Sequence, residues 1–222
     1  MSEPFVWQQP VSATAERMVL ELAGIDRGPR VSPFRVLDFG CGTGRYMEMF
    51  ANRIPRCKVY GVETDPSQVL EARQKGLHCL QTDPKRSCLP FKDRSFALVF
   101  SSNVVEHIPH ALYLAYLLEI HRVLEPGGRF VLSTPNYPIK RVYDLFKALR
   151  SKHTSYYLFD DPTHVNRLSL SQLERDLERV FREVHLKTDR LLLQNRIPLL
   201  RRPNVRHRLR VFGDKIVGYC VR

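Results

Sequence analysis

The chain has 222 residues, with 35 Lys and Arg against 23 Asp and Glu and a formal net charge of +12 at pH 7. This length predicts one α/β domain and leaves little room for a separate substrate domain. The five cysteines form no CxxC pair, and no apolar run approaches the roughly 20 residues that span a bilayer. We therefore expect a cytoplasmic protein that is not integral to a membrane.

Helix and strand signals alternate along most of the chain. An amphipathic pattern over 11–22 predicts a first helix that ends near Gly24. The further predictions, in chain order, are strand 34–39, helix 45–52, strand 58–62, helix 67–75, strand 78–80, strand 96–101, helix 110–123, strand 129–133, helix 171–181 with a capping box at Ser171–Glu174, strand 183–188 and strand 215–221. This alternation predicts an α/β fold with a doubly wound, mostly parallel sheet and helices on both faces.

Two segments do not fit this alternation. Residues 136–165 combine an amphipathic basic stretch with the aromatic cluster 156–159, which favours a lid, although a surface helix packed on the sheet explains the pattern equally well. Residues 190–210 contain seven arginines and no acidic residue, which indicates a basic insertion before the last strand. Both are expected within a single domain, 1–222.

The most informative stretch joins an apolar strand to a glycine-rich loop. Asp38 ends the strand, and Gly40, Gly42 and Gly44 follow at alternate positions. Such glycines let the backbone take positive φ and approach a ligand closely. A dinucleotide fingerprint, G-x-G-x-x-G, would need glycine at Arg45.

The loop instead resembles motif I of the class I S-adenosylmethionine (SAM) methyltransferases, E/D-x-G-x-G-x-G. The segments Leu89–Val99 and Val123–Phe130 also resemble family motifs, although Ala97 replaces a usual acidic residue. The resemblance covers about 34–188 and implies a Rossmann-like fold with an antiparallel last strand and SAM as cofactor.

The cofactor residues that the resemblance implies lie at strand ends. Glu63, followed by Thr64, would accept the two ribose hydroxyls, because vicinal donors match one carboxylate. Asp83 would lie near the adenine amino group, unless it is a turn residue before Pro84. Cys41 is expected to belong to the cofactor loop rather than to act as a nucleophile. Asp38 is expected to organise the loop through backbone N–H groups.

The chemistry is expected just after the fourth strand. On a helical turn Asn103, Glu106 and His107 would share one face, with Asn103 also near the cofactor. Histidine titrates near neutral pH, so His107 is a suitable general base for a hydroxyl acceptor, with Glu106 beside it.

This stretch also resembles the E-x-x-E-H motif of ubiquinone-biosynthetic O-methyltransferases and small-RNA 2′-O-methyltransferases. There, two glutamates and a histidine bind a divalent metal with a later histidine. Glu106 and His107 match, His164 stands near the later position, and Asn103 replaces the first glutamate. Three alternatives remain open: a metal site of Glu106, His107 and His164 holding Mg²⁺, a metal-free His107 base, or packed residues at a helix start.

The sequence thus predicts a SAM-dependent methyltransferase that methylates a small-molecule or lipid- or sugar-linked acceptor, on a hydroxyl. The basic segments suggest peripheral contact with an anionic membrane. An RNA methyltransferase is the first alternative, weakened by the absence of an N/D-P-P-Y/F motif. A SAM-binding regulatory protein without turnover is the second. The methyl acceptor and the oligomeric state are left open by the sequence.

Overall fold

Seven strands form one sheet in the computed structural model, which describes residues 11–25, 34–149, 161–191 and 213–222. In chain order the strands are β1 (Arg35–Phe39), β2 (Lys58–Glu63), β3 (His78–Gln81), β4 (Phe96–Ser102), β5 (Leu124–Pro135), β6 (Glu183–Leu191) and β7 (Gly213–Val221). The described helices are α1 (Ala13–Ala23), α2 (Arg45–Arg53), α3 (Pro66–Gln74), α4 (His110–Val123), α5 (Ile139–Ala148) and α6 (Leu170–Glu178), with a short 3₁₀ helix at Val105–His107.

The strand order is β3-β2-β1-β4-β5-β7-β6. Strands β1 to β5 pair in parallel, and β7 pairs antiparallel with both β5 and β6. The predicted mostly parallel sheet with an antiparallel last strand is confirmed. The strand order reverses between β1 and β4, so the loops that leave their carboxyl ends meet at a topological switch point, where open α/β sheets bind ligands.

The core lies on both faces of the sheet. Adjacent β1 residues alternate between the faces: Val36 packs with α1 and α2, whereas Leu37 packs with α4 and α6. The predicted helices on both faces are confirmed. No helix among the described residues is long and apolar enough to cross a membrane.

Two predicted details are wrong. Helix α6 begins at Leu170, because the hydroxyl of Ser169 accepts the Gln172 N–H while the Gln172 side chain accepts the Ser169 N–H. The capping box is therefore this pair rather than Ser171 with Glu174. Strand β5 begins at Leu124, five residues early, because Leu124 pairs with Phe96 before the glycine turn shifts the register.

The two insertions are only partly within the described residues. Helix α5 lies inside the predicted lid and beside β7. The aromatic cluster 156–159 and most of the basic segment 190–210 lie outside the described residues.

The predicted helix end at Gly24 is confirmed, with φ +68°.

Candidate active site

The glycine loop between β1 and α2 is held by the end of β2. Gly40, Gly42 and Gly44 have φ of +74°, +56° and +89°, a region that glycine enters without steric cost. The N–H groups of Gly40 and Cys41 donate to the Val62 carbonyl at 2.9 and 3.1 Å. The loop conformation is therefore fixed by the neighbouring parallel strand.

The same loop contacts the segment that follows β4. A Cβ placed on Gly40 would lie 2.4 Å from Val104 Cγ2, closer than real Cβ contacts. A Cβ on Gly44 would lie 2.2 Å from Leu77 Cδ1, whereas at Gly42 its single neighbour would be Gln68 Oε1, at 3.0 Å. Gly40 thus permits direct packing of Val104 on the loop, and the space beside Gly42 is otherwise open.

The carboxylate of Glu63 connects β2 to the loop. Its Oε2 accepts the Gly42 N–H at 2.9 Å, and its Oε1 accepts the N–H groups of Thr64 and Asp65 at 2.7 and 3.1 Å. The side chain is half-buried. Because each carboxylate oxygen can accept more than one hydrogen bond, Oε2 keeps capacity for a ligand hydroxyl.

Asp38 does not play the organising role expected of it. The residue is 1% exposed, and no group among the described residues hydrogen-bonds to its Oδ2. The N–H groups of the loop are instead taken by Val62 and Glu63. Burial, then the nearby charge of Glu63, raises the pKa of Asp38 well above its usual range.

Cys41 is paired with a second thiol. Its Sγ lies 3.3 Å from Cys79 Sγ, and both residues are buried. The hydrogen bond to Cys79, followed by burial, raises the pKa of Cys41 above its usual range. The thiol therefore stays protonated, which agrees with a packing role in the loop and argues against nucleophilic chemistry.

Two predicted cofactor residues are more exposed. Asp83 follows β3, and its Oδ1 accepts the Lys85 N–H at 2.9 Å. The Thr82 N–H, between Asp83 and β3, donates to the Glu63 carbonyl at 2.9 Å. Asn103 has φ +55° and donates to the Ser133 carbonyl. It precedes the 3₁₀ helix, so the prediction that it shares a helical face with Glu106 and His107 is wrong.

The structure brings Glu106, His107 and His164 together. One ligand atom from each lies within 4.8 Å of the others. The rings of His107 and His164 meet edge to face, with centroids 4.8 Å apart. His107 and His164 are 57 residues apart in the sequence, and the fold brings their rings into contact.

Glu106 has an unusual environment for a carboxylate. It is 1% exposed, its Oε2 accepts the Thr134 hydroxyl at 3.0 Å, and its Oε1 has no hydrogen-bond partner within the part of the chain that the structure describes. Burial raises the pKa of Glu106, and a backbone hydrogen bond, followed by the nearby His107, partly offsets that rise. A buried polar atom without a partner is costly, so Oε1 is available to a ligand.

The two histidines are oriented by hydrogen bonds from residues of the predicted lid, 136–165. His107 Nδ1 lies 3.2 Å from the Thr163 carbonyl, which can only accept. Nδ1 therefore carries the proton, and Nε2 keeps its lone pair. His164 Nδ1 bonds the Tyr137 hydroxyl at 2.6 Å, and its Nε2 lies 3.8 Å from Asp161.

Sequence reasoning missed the residues that support this cluster. The Asn166 N–H donates to the Glu106 carbonyl at 2.9 Å, while Thr134 and Tyr137 contact Glu106 and His164 as described. The contacts join positions 27 to 60 residues apart. No local sequence pattern marks them, because each residue is an ordinary polar side chain until the fold buries it.

Comparison with known proteins identifies the family. A family model described as a methyltransferase domain matches residues 8–180. The chain belongs to this methyltransferase family. This match confirms the prediction of a methyltransferase domain.

The sequence relatives of this methyltransferase cover part of its length. It is 32% identical over 113 residues to a trans-aconitate 2-methyltransferase of Methylobacterium nodulans, covering 50% of this chain and 42% of that protein. It is 32% identical over 125 residues to a demethylmenaquinone methyltransferase of Thermus thermophilus, covering 54% and 56%. The chain spans about half the length of the curated relatives that it matches.

Solved structures share the fold of this methyltransferase. A SAM-dependent methyltransferase from Archaeoglobus fulgidus has a TM-score of 0.67 at 18% identity, covering 95% of this chain and 92% of that one. Phosphoethanolamine N-methyltransferase 2 of Haemonchus contortus, in complex with SAM, has a TM-score of 0.62 at 17% identity, covering 96% and 53%. At such identities the likeness establishes the fold alone.

Proposed function

We propose that this methyltransferase transfers the methyl group of SAM to a hydroxyl of a small-molecule or lipid- or sugar-linked acceptor. The observation that carries the proposal is the packing of Val104 on Gly40. That contact joins the cofactor loop to the turn that holds Glu106 and His107. The proposed cofactor loop and the proposed base therefore lie along one continuous edge of the sheet.

The residues at the loop suit the groups that SAM brings. Glu63 has a remaining acceptor capacity that matches ribose hydroxyls, and Thr64 lies next to it. One oxygen of the Asp38 carboxylate has no hydrogen-bond partner in the described ranges, which suits the ammonium group of SAM. The open space beside Gly42 leaves room for the cofactor. Cys41, Gly44, Asp83 and Asn103 complete the proposed cofactor site.

His107 is the proposed general base. Its Nδ1–H is held by the Thr163 carbonyl, so Nε2 can take the proton of an acceptor hydroxyl as the oxygen attacks the sulfonium methyl. The bond from methyl carbon to sulfur breaks as the bond to oxygen forms, and SAM leaves as S-adenosylhomocysteine. Glu106, buried behind His107, stabilises the imidazolium that results.

The same cluster fits a divalent cation. Ligand atoms around a tetrahedral metal ion lie about 3.4 Å apart, so atoms that now lie within 4.8 Å of one another would move closer by up to about 1.4 Å. The Nδ1–H of His107 bonded to a carbonyl is the usual arrangement behind a metal-bound imidazole. Two nitrogen donors and one carboxylate suit Mn²⁺ or Zn²⁺ better than Mg²⁺. A bound cation would lower the pKa of an acceptor hydroxyl.

The test is product mass spectrometry with a panel of acceptors. The panel includes an acid and an isoprenoid quinol, the classes that the names of the two relatives suggest, and the product mass and fragmentation separate O- from C-methylation. His107→Gln is expected to lower kcat about 10²- to 10⁴-fold while leaving SAM affinity unchanged. His185→Gln, at an exposed histidine on β6, is the matched control. Methylation at carbon, or unchanged turnover in His107→Gln, contradicts the proposal.

Treatment with EDTA separates the two roles of the cluster. Loss of turnover that Mn²⁺ or Mg²⁺ restores would assign Glu106, His107 and His164 to a cation. Turnover that is indifferent to EDTA and is lowered by His107→Gln would assign His107 to proton transfer alone. Calorimetric SAM binding is measured in parallel, because a regulatory protein without turnover would still bind the cofactor.

A further inference from the structure

Helix α5 presents an apolar stripe to solvent. Val142, Leu145, Phe146 and Leu149 are 47%, 53%, 42% and 76% exposed. Their spacing of three and four residues places them on one side of the helix. Together they form a continuous apolar surface, which we call the α5 stripe.

The opposite side of α5 is polar and faces the protein. Tyr143, Asp144 and Ala148 are buried, and Asp144 is paired there with Lys140 at 2.5 Å. A surface helix of a globular protein normally turns its apolar side to the core and its charged side to water. Helix α5 has the reverse orientation, so folding of the described chain leaves its apolar side without a partner of its own.

We propose that the α5 stripe docks on an anionic lipid bilayer. An amphipathic helix with aliphatic and aromatic residues on one side and basic residues around them is the form that lies in a bilayer interface. Within α5, Asp144 is the one acidic residue, and the side chains of Lys140 and Arg141 lie 2.5 and 3.7 Å from its carboxylate. That acid is buried and neutralised, so it does not oppose an anionic surface.

Charge distinguishes the bilayer from a second copy of the chain. A second copy of the chain carries the same formal net charge of +12, so the two copies repel each other at long range. An anionic lipid surface attracts the same charge, at about 1 kcal/mol for each cation near it. The combination of an apolar stripe and a basic protein therefore favours the lipid surface.

The docking surface adjoins the proposed active site. Helix α5 begins two residues after Tyr137, whose hydroxyl bonds His164. If the proposed function holds, docking brings the site close to acceptors that reside in the bilayer. Docking itself requires no turnover, so its test is independent of the proposed reaction.

The test is co-sedimentation of the full chain with vesicles. One set contains phosphatidylcholine alone, and the other replaces part of it with phosphatidylglycerol. We expect partitioning into the anionic vesicles to exceed that into the neutral ones by about tenfold or more, and to fall when salt is raised to about 0.5 M. Equal binding to both sets, or binding to neither, overturns the proposal.

A double variant tests the stripe directly. Leu145→Ser with Phe146→Ser is expected to lower partitioning about tenfold or more, because their apolar area is what the bilayer buries. The matched control is Leu114→Ser with Leu118→Ser on α4, where the two leucines are 46% and 53% exposed. Equal loss in both double variants, or no loss in the α5 variant, overturns the proposal.

Two further measurements test whether the α5 stripe mediates self-association and whether it enters the bilayer. Sedimentation velocity without lipid measures self-association. If the wild type forms a dimer that the α5 double variant disrupts, and the wild type does not bind vesicles, the α5 stripe is assigned to a second copy and docking on lipid is refuted. The Phe146→Trp variant keeps an apolar side chain and adds a fluorophore. A blue shift of its emission, relative to the wild type, with anionic vesicles supports docking even if the serine variants unfold, and no shift contradicts it.

Discussion

Substitution of Gly40 by alanine tests the contact between the cofactor loop and the β4 segment. Gly40 has φ +74°, and its new Cβ would lie 2.4 and 2.9 Å from the two Cγ atoms of Val104. Gly127 has nearly the same φ, +73°, with nothing within 4 Å. The two glycines thus share the backbone strain, and only Gly40 adds a steric clash.

The strain costs about 1–2 kcal/mol at either position. Overpacking against Val104 adds about 1–3 kcal/mol at Gly40. We therefore expect Gly40→Ala to lower the free energy of unfolding by roughly 2–5 kcal/mol and Gly127→Ala by roughly 1–2. For a chain of this size 1 kcal/mol corresponds to about 2–4 °C in Tm, so thermal unfolding followed by circular dichroism separates the two.

Shortening Val104 is expected to relieve the clash that Gly40→Ala creates. In Gly40→Ala with Val104→Ala both Cγ atoms are gone, and the nearest remaining atom is the Cβ of residue 104, at 3.2 Å. The double variant is expected to recover about 1–3 kcal/mol relative to additivity. Equal losses in Gly40→Ala and Gly127→Ala, or strict additivity in the cycle, would show that the contact does not constrain the loop.

Three further predictions concern the site and its frame. Asp38 has a raised pKa in the folded protein, so the unfolded chain loses this proton first and the wild type loses stability as the pH rises from about 4 towards the folded pKa. Asp38→Asn lacks the proton, and its Tm relative to the wild type is therefore expected to increase over that window. A difference in Tm that is constant with pH refutes this. Glu63→Gln removes the charge that accepts three backbone N–H groups and is expected to raise the calorimetric Kd for SAM about tenfold or more, whereas an unchanged Kd contradicts the ribose role. Ser169→Ala is expected to lower the free energy of unfolding in urea by about 1 kcal/mol, and Ser171→Ala by less than about 0.5; the reverse order contradicts the capping assignment.

The parts of the fold that follow local rules were predictable from the sequence. Strand β1 and the glycine loop are marked by an apolar run and by residues that tolerate positive φ. Glu63 was placed correctly at the end of β2, because parallel strands bring their carboxyl ends to one edge. These features depend on neighbours in sequence or on the regular geometry of the sheet.

The features that were wrong or missed depend on contacts between distant segments. Asp38 was expected to bond the loop, but the loop N–H groups found the Val62 carbonyl and Glu63 on the next strand. Asn103 was expected on a helical face, but it takes φ +55° while its N–H donates to Ser133 of β5. In each case the backbone N–H donates to a residue on a neighbouring strand. Which strands are neighbours cannot be predicted from the sequence of one segment.

Helix α5 shows what periodicity can and cannot establish. The spacing of Val142, Leu145 and Phe146 predicts an amphipathic helix, and that helix is present. Periodicity does not state which side faces the protein, because the default assumes that the apolar side has the core to bury it. Here the polar side supplies the Asp144–Lys140 pair and a buried Tyr143, so the apolar side faces outward. A lipid surface is the proposed partner of α5 because the apolar side of the helix faces solvent, and not merely because the helix is amphipathic.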